Sequence, residues 1–80
     1  MQVTLLCFSH LRQAFGKTAI ELELADGATS ADAEAKVREM LPEALRAMVF
    51  RVAVNQSVVR DPVPLSDGDE VAFLPPMQGG

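Results

Sequence analysis

Eighty residues with a net charge of −4, from 7 basic and 11 acidic side chains, make one domain near the lower size limit for independent folding. That balance argues against nucleic acid, whose phosphates want a basic face, and favours a basic protein surface as partner. A 49% hydrophobic content with 22% charged residues is globular, and no apolar run approaches the roughly 18 residues of a membrane span, so no membrane partner is expected. Met1 to Cys7 carries no basic leader and no small-residue cleavage site, and the single cysteine cannot form an internal disulfide. A cytoplasmic location is the expectation. So small a chain leaves little room for a pocket, which favours a module over a self-sufficient enzyme.

Gln2 to Phe8 (QVTLLCF) is rich in β-formers and has no breaker, which predicts a strand buried on both faces or nearly so. Ser9 to Phe15 reads as a short helix with Ser9 as N-cap and Gly16 as its stop. Leu11 and Phe15, four apart, then point together into the core. Thr18 to Leu24 alternates: Ile20, Leu22 and Leu24 face in, while Glu21 and Glu23 face water. Asp26-Gly27 turns the chain. Thr29 caps the next helix, and Asp32 reaches back as the second half of a capping box that also complements the helix dipole. Ala33, Val37, Met40, Leu41, Ala44, Leu45 and Met48 recur at helical spacing, so Met40 and Met48 are expected in the core. Pro42 removes a backbone donor and ends the helix near Leu41, with Glu43 to Met48 as a second short turn.

Arg51 to Val54 predicts a third strand, central by its apolar content. Asn55-Gln56 makes a tight turn to a short partner strand, Ser57 to Val59. Arg60 to Ser66 carries two prolines and reads as a loop, Asp67-Gly68-Asp69 is a turn signal, and Glu70 to Leu74 is the last strand. One main amphipathic helix packed on a mixed sheet is an α+β layer arrangement. Placing the N-terminal strand beside the C-terminal one, with a hairpin on the first strand's other side, predicts a β-grasp, the ubiquitin-like roll, over residues 1–74. Residues 75–80 then make a flexible C-terminal tail.

That tail reads Pro75-Pro76-Met77-Gln78-Gly79-Gly80. At average glycine usage, two glycines at a chain end have a chance frequency of about 0.005. Proline favours extended geometry, so Pro75-Pro76 projects the tail from the body, and its six residues reach at most roughly 20 Å. Lacking Cβ atoms, Gly79 and Gly80 fit a channel too narrow for any side chain. Met77 beside Gln78 suits a partner's groove. Pro75, Pro76, Met77, Gln78 and Gly79 are therefore candidates for insertion into a partner's active site.

An internal active site is harder to find. No glycine-rich phosphate loop occurs, because the only Gly-Gly is the terminus. Cys7 and His10, three residues apart, invite a Cys-His nucleophile pair, but Cys7 lies in an apolar strand, where cysteine behaves as a small hydrophobe. One histidine and one cysteine fall short of a zinc site's four ligands, so no metal is expected. Asp67 to Glu70 is too short for a calcium loop. Glu21 and Glu23 read as a solvated face. The group left for chemistry is the Gly80 carboxylate. A carboxylate is a poor electrophile until activated, typically as an acyl-adenylate made with ATP by another enzyme. Sulfide or a persulfide displacing AMP would leave a thiocarboxylate; a lysine or cysteine would give a conjugate. The residues alone yield a carrier with an acyl arm and leave its cargo open.

Several stretches carry a resemblance. They are Phe8 to Gly16 (FSHLRQAFG), Asp26-Gly27-Ala28-Thr29, Val52-Ala53-Val54-Asn55, Leu65 to Val71 (LSDGDEV) and, most specifically, Leu74-Pro75-Pro76-Met77-Gln78-Gly79-Gly80. The chain resembles the small subunits of molybdopterin synthase, the MoaD branch of the MoaD/ThiS ubiquitin-like sulfur carriers. The resemblance implies that an adenylyltransferase similar to ubiquitin-activating enzymes adenylates Gly80 and a sulfur donor enzyme converts it to the thiocarboxylate. It further implies that the tail enters the large synthase subunit, in a heterotetramer, and passes sulfur to cyclic pyranopterin monophosphate in molybdenum cofactor biosynthesis. Catalytic side chains would then belong to the large subunit, with no cofactor bound stably here and ATP consumed by the activating enzyme. Two departures stand out: a helix richer in alanine and charge than the family's leucine-rich version, and Ala14-Phe15 before Gly16. Other readings of the same terminus are a sulfur carrier for thiamin, tRNA thiolation or cysteine synthesis, and a ubiquitin-like protein modifier. A structural β-grasp module with an incidental Gly-Gly end is a further one.

Overall fold

The computed structural model of the chain describes residues 1–74. In chain order these form β1 (Gln2–Leu6), α1 (Ser9–Phe15), β2 (Ala19–Glu23), α2 (Ser30–Met40), a 3-10 turn (Glu43–Leu45), β3 (Arg51–Val54), β4 (Ser57–Val59) and β5 (Glu70–Leu74). The strands make one sheet in the order β2-β1-β5-β3-β4. β1 runs antiparallel to β2, with Val3 opposite Leu22, and parallel to β5, with Leu5 opposite Val71. β3 runs antiparallel to both β5 and β4, and its Val52 lies between Phe73 and Val59. This is the β-grasp expected from the sequence, with the last strand inserted beside the first.

The central position belongs to β5 and not to β3. The reason is burial. Val71, Ala72 and Phe73 are all buried, whereas β3 buries only Ala53. β1 also differs from expectation, since it is buried on one face only. Val3, Leu5 and Cys7 enter the core, Leu6 is half-buried, and Phe8 lies past the strand with 42% of its surface exposed. The core cluster unites Val3, Leu5, Leu22, Val71 and Phe73 with Ala33, Val37 and Leu41 from the α2 segment, so the helix covers one side of the sheet.

Helix termini follow local chemistry. Thr29 and Asp32 form the expected capping box: the Thr29 N–H donates to Asp32 Oδ2 at 2.8 Å, and the Asp32 N–H to Thr29 Oγ1 at 3.4 Å. Gly16 ends α1 in the left-handed region at φ 69°, its N–H donating to Arg12 O at 2.8 Å. Ser9 is not the N-cap. The Phe8 carbonyl accepts from Leu11 at 3.0 Å, which moves the cap one residue back and leaves Ser9 inside the first turn at φ 48°. On α2 the buried stripe is Ser30, Ala33 and Val37, continued by Leu41. Met40 is 45% exposed, Ala44 is exposed and Met48 is half-buried, against the expectation of a wider stripe. The helix stops at Met40 before Pro42, and the chain continues into the 3-10 turn instead of a further α-helical turn. Among the described residues no helix is long and apolar enough to cross a membrane.

Two polar clusters tie the strand ends. The Met1 ammonium donates to Glu23 Oε2 at 3.1 Å, Leu24 O at 2.7 Å and Asp26 Oδ1 at 3.4 Å. The bond to Glu23 raises the ammonium's pKa above its ordinary value, and the same bond, helped by Gln2, lowers that of Glu23. At the other end Asn55 Oδ1 accepts from Glu70 N at 2.9 Å while its Nδ2 donates to Asp69 Oδ1 at 3.1 Å. The Ser66 N–H donates to Asp69 Oδ2 at 2.8 Å and, together with Asn55, holds the Asp69 carboxyl below the usual range. Asn55 and Gln56 both take positive φ, 49° and 74°, as a two-residue hairpin turn requires.

Phe73→Ala is expected to destabilise the chain by about 3–5 kcal/mol in urea titrations, because its ring is buried and stacked on Phe50 at 5.9 Å; a loss under about 1 kcal/mol would contradict this packing. The amino-terminal clamp makes a second prediction, from signs alone. A raised ammonium pKa stabilises below the unfolded amine's pKa and is lost as pH rises through the folded value. A lowered Glu23 pKa stabilises above the unfolded carboxyl's value and is lost as pH falls through the folded one. Nα-acetylation should therefore lower the melting temperature at neutral pH, and the difference should vanish above the raised amine pKa.

Candidate functional site

The tail residues singled out in the sequence, Pro75, Pro76, Met77, Gln78, Gly79 and Gly80, lie outside the described residues. What is described is their root. β5 ends at Leu74, opposite Arg51 of β3, and the preceding Phe73 is locked into the core. Phe73 stacks on Phe50 with 29° between ring planes, and the Arg38 guanidinium lies 5.0 Å above the Phe50 ring. Arg38 is itself held by Glu34 at 2.9 Å and donates to Arg46 O at 2.6 Å. The end of β5 is thus fixed by an aromatic pair and an ion pair one residue before Leu74.

Around that root the uncovered face of the sheet is apolar. Leu6, Phe8, Ala53, Val58, Ala72 and Leu74 line a shallow concavity of about 180 Å³, with Gln56 and Glu70 also on its wall. Phe8 and Val58 are 42% and 54% exposed, large apolar groups that a partner could cover. The sequence reading missed this surface. Its signal was present in Gln2 and Thr4, whose polarity alternates with Val3 and Leu5 and marks one side of β1 as solvated.

The internal Cys-His pair is not assembled for catalysis. Cys7 is buried, its Sγ 3.8 Å from Leu5 O, and burial pushes its thiol pKa up, the opposite of nucleophile activation. His10 is exposed on α1. The carboxylates of the last turn serve the backbone: Asp67 Oδ1 accepts from Gln2 N at 2.7 Å, and Asp69 has the bonds to Ser66 and Asn55. Glu21 and Glu23 are exposed as expected, with Glu23 engaged by the chain's own amino terminus.

The sequence model of the ThiS family matches residues 5–80. The chain belongs to the ThiS family. It is 39% identical to the molybdopterin synthase sulfur carrier subunit of Chlamydomonas reinhardtii over 85 aligned positions, which cover 100% of both chains. Among solved structures, one from Helicobacter pylori, a complex of subunits 1 and 2 of molybdopterin-converting factor, superposes with a TM-score of 0.70 at 25% identity, covering 100% of each chain. Small archaeal modifier protein 1 of Haloferax volcanii superposes at 0.79 with 22% identity, covering 95% of this chain and 98% of that one; it shares the fold. A ThiS-family body of this kind thus presents a chemically inert core, an apolar open face and a fixed root for its last residues.

Cys7 should be silent toward an aromatic disulfide reagent in the native protein and react fully in denaturant. Rapid labelling of the native chain would contradict its burial.

Proposed function

We propose that the chain is the sulfur-carrier subunit of a molybdopterin synthase, with Gly80 as its working group. Full-length likeness to a sulfur carrier subunit of that name carries this reading. The Gly79-Gly80 end and a body without an activated nucleophile of its own support it. Residues 1–74 serve as the body and residues 75–80 as the arm. An adenylyltransferase of the ubiquitin-activating type joins the Gly80 carboxylate to the α-phosphate of ATP, releasing pyrophosphate. Sulfur at the sulfide level, brought by a donor enzyme, then attacks the carbonyl carbon and expels AMP, leaving the thiocarboxylate.

The arm next enters the large synthase subunit, and the thiocarboxylate sulfur passes to cyclic pyranopterin monophosphate, with hydrolysis restoring the carboxylate. The large subunit supplies the catalytic side chains. Its docking site is the apolar face around Leu74, where Phe8 and Val58 provide apolar area close to the arm's root. The reading places the chain in the cytoplasm, where ATP and reduced sulfur are at hand.

Intact mass after incubation with ATP, a sulfur source and extract from its own cells tests the reading. The expected gain equals one sulfur replacing one terminal oxygen, and a chain extended by one residue after Gly80 should show none. Added large subunit with the pterin precursor should then reverse the gain. An unchanged mass in a synthase-competent extract would overturn the proposal, and a mass gain discharged only onto lysines would favour a protein modifier.

A further inference from the structure

Val58 lines a second concavity as well as the open apolar one. This groove, of about 390 Å³, runs between α2 and the β3–β4 hairpin. Glu34 stands on its helix side, Phe50, Val52 and Val59 give it apolar wall, and Arg51 and Arg60 give it charge. Arg51 pairs with Leu74 in the register of β3 and β5, so the groove lies at the end of the sheet where β5 ends.

The charge of the groove is unbalanced. Its one carboxylate is already committed, with Glu34 Oε2 lying 3.0 Å from Arg38 Nε and 2.9 Å from Arg38 Nη2. Arg51 and Arg60 are both exposed, and among the described residues neither enters an ion pair. Arg38 and Arg46, by contrast, both donate to backbone carbonyls, those of Arg46 and Leu41. A smaller hollow shares Glu34, Val52, Val59 and Arg60 with the groove and adds Asp61, which pairs with neither free arginine. On a chain whose net charge is −4, two unneutralised guanidinium groups in one groove are a local reversal of sign.

We propose that this groove seats an acidic segment of the large synthase subunit, with a carboxylate between Arg51 and Arg60 and an apolar side chain against Val58 and Val59. Guanidinium groups bind carboxylates bidentately, which makes arginine a preferred residue for such contacts. A free oxyanion would satisfy the arginines but leave the apolar wall uncovered. The inference rests on the docking of that subunit at the open apolar face. Val58, 54% exposed, belongs to both surfaces, so a partner that covers the face reaches the rim of the groove. A charge contact off to one side of an apolar patch fixes the rotation of one protein on the other, which a patch alone does poorly.

Association and dissociation rates of the full chain on the purified large subunit test this. Arg51→Gln with Arg60→Gln should raise the dissociation rate at least tenfold, with a near-native melting temperature because both side chains are exposed. In the wild type, the Nε–H resonances of Arg51 and Arg60 should shift when the large subunit is added. Inorganic phosphate alone should leave them in place; equal shifts would assign the groove to a free oxyanion and overturn the proposal. Equal dissociation rates for variant and wild type would also overturn it. So would a variant slowed only in association, since the arginines would then act by long-range steering. In those cases the wild type still binds and the docking reading stands. A wild type that does not bind the large subunit at all would overturn both.

Discussion

The pairing of β5 between β1 and β3 is the constraint on which the rest of the structure depends. The strand formed last in the chain is the one that joins two hairpins, β1–β2 and β3–β4, into a single sheet. Until residues 70–74 are in place neither hairpin has a second partner, and the contacts that close the sheet span nearly the whole chain. Such long-range closure is entropically costly, and burial of Val71, Ala72 and Phe73 offsets it. The same pairing leaves the chain's final residues starting from the middle of the sheet, one residue after the best-buried ring in the molecule.

Side-chain chemistry around this strand is used for position. Phe50 stacks on Phe73, Arg38 lies on Phe50, and Glu34 neutralises Arg38, so an aromatic and ionic stack runs from α2 down to the root of the last residues. At the other end of β5, Asn55 and Asp69 hold the turn that feeds Glu70 into the sheet. Both ends are braced by groups whose hydrogen-bonding capacity is already committed. Cys7, the one thiol, is buried where its thiolate is disfavoured.

Its two faces differ in kind. α2 covers one with Ala33, Val37 and Leu41, small or branched residues that allow close approach of helix and sheet. The other remains open and apolar around Leu74, with Phe8 and Val58 standing out from it. At one edge of the sheet β2 carries the exposed Glu21 and Glu23, and charged side chains on an edge strand are one way natural sheets limit pairing with another chain.

The sequence by itself determined most of the local structure, because the signals concerned are short-range. The Thr29–Asp32 box, the Gly16 stop, the Asn55-Gln56 and Asp67-Gly68 turns and the bounds of β3, β4 and β5 all follow from residues within a few positions of one another. The closing residues, Pro75 to Gly80, were equally legible as a motif. What only the tertiary structure decided was which apolar surfaces find cover. Leu6, Phe8 and Met40 are as hydrophobic as their buried neighbours, and local pattern cannot say that α2 packs on one face alone or that the helix ends too soon to cover Met40. Likewise, the central place of β5 over β3 arises from long-range pairing, which brings residues 1–6 and 70–74 together and has no signature in either stretch taken alone.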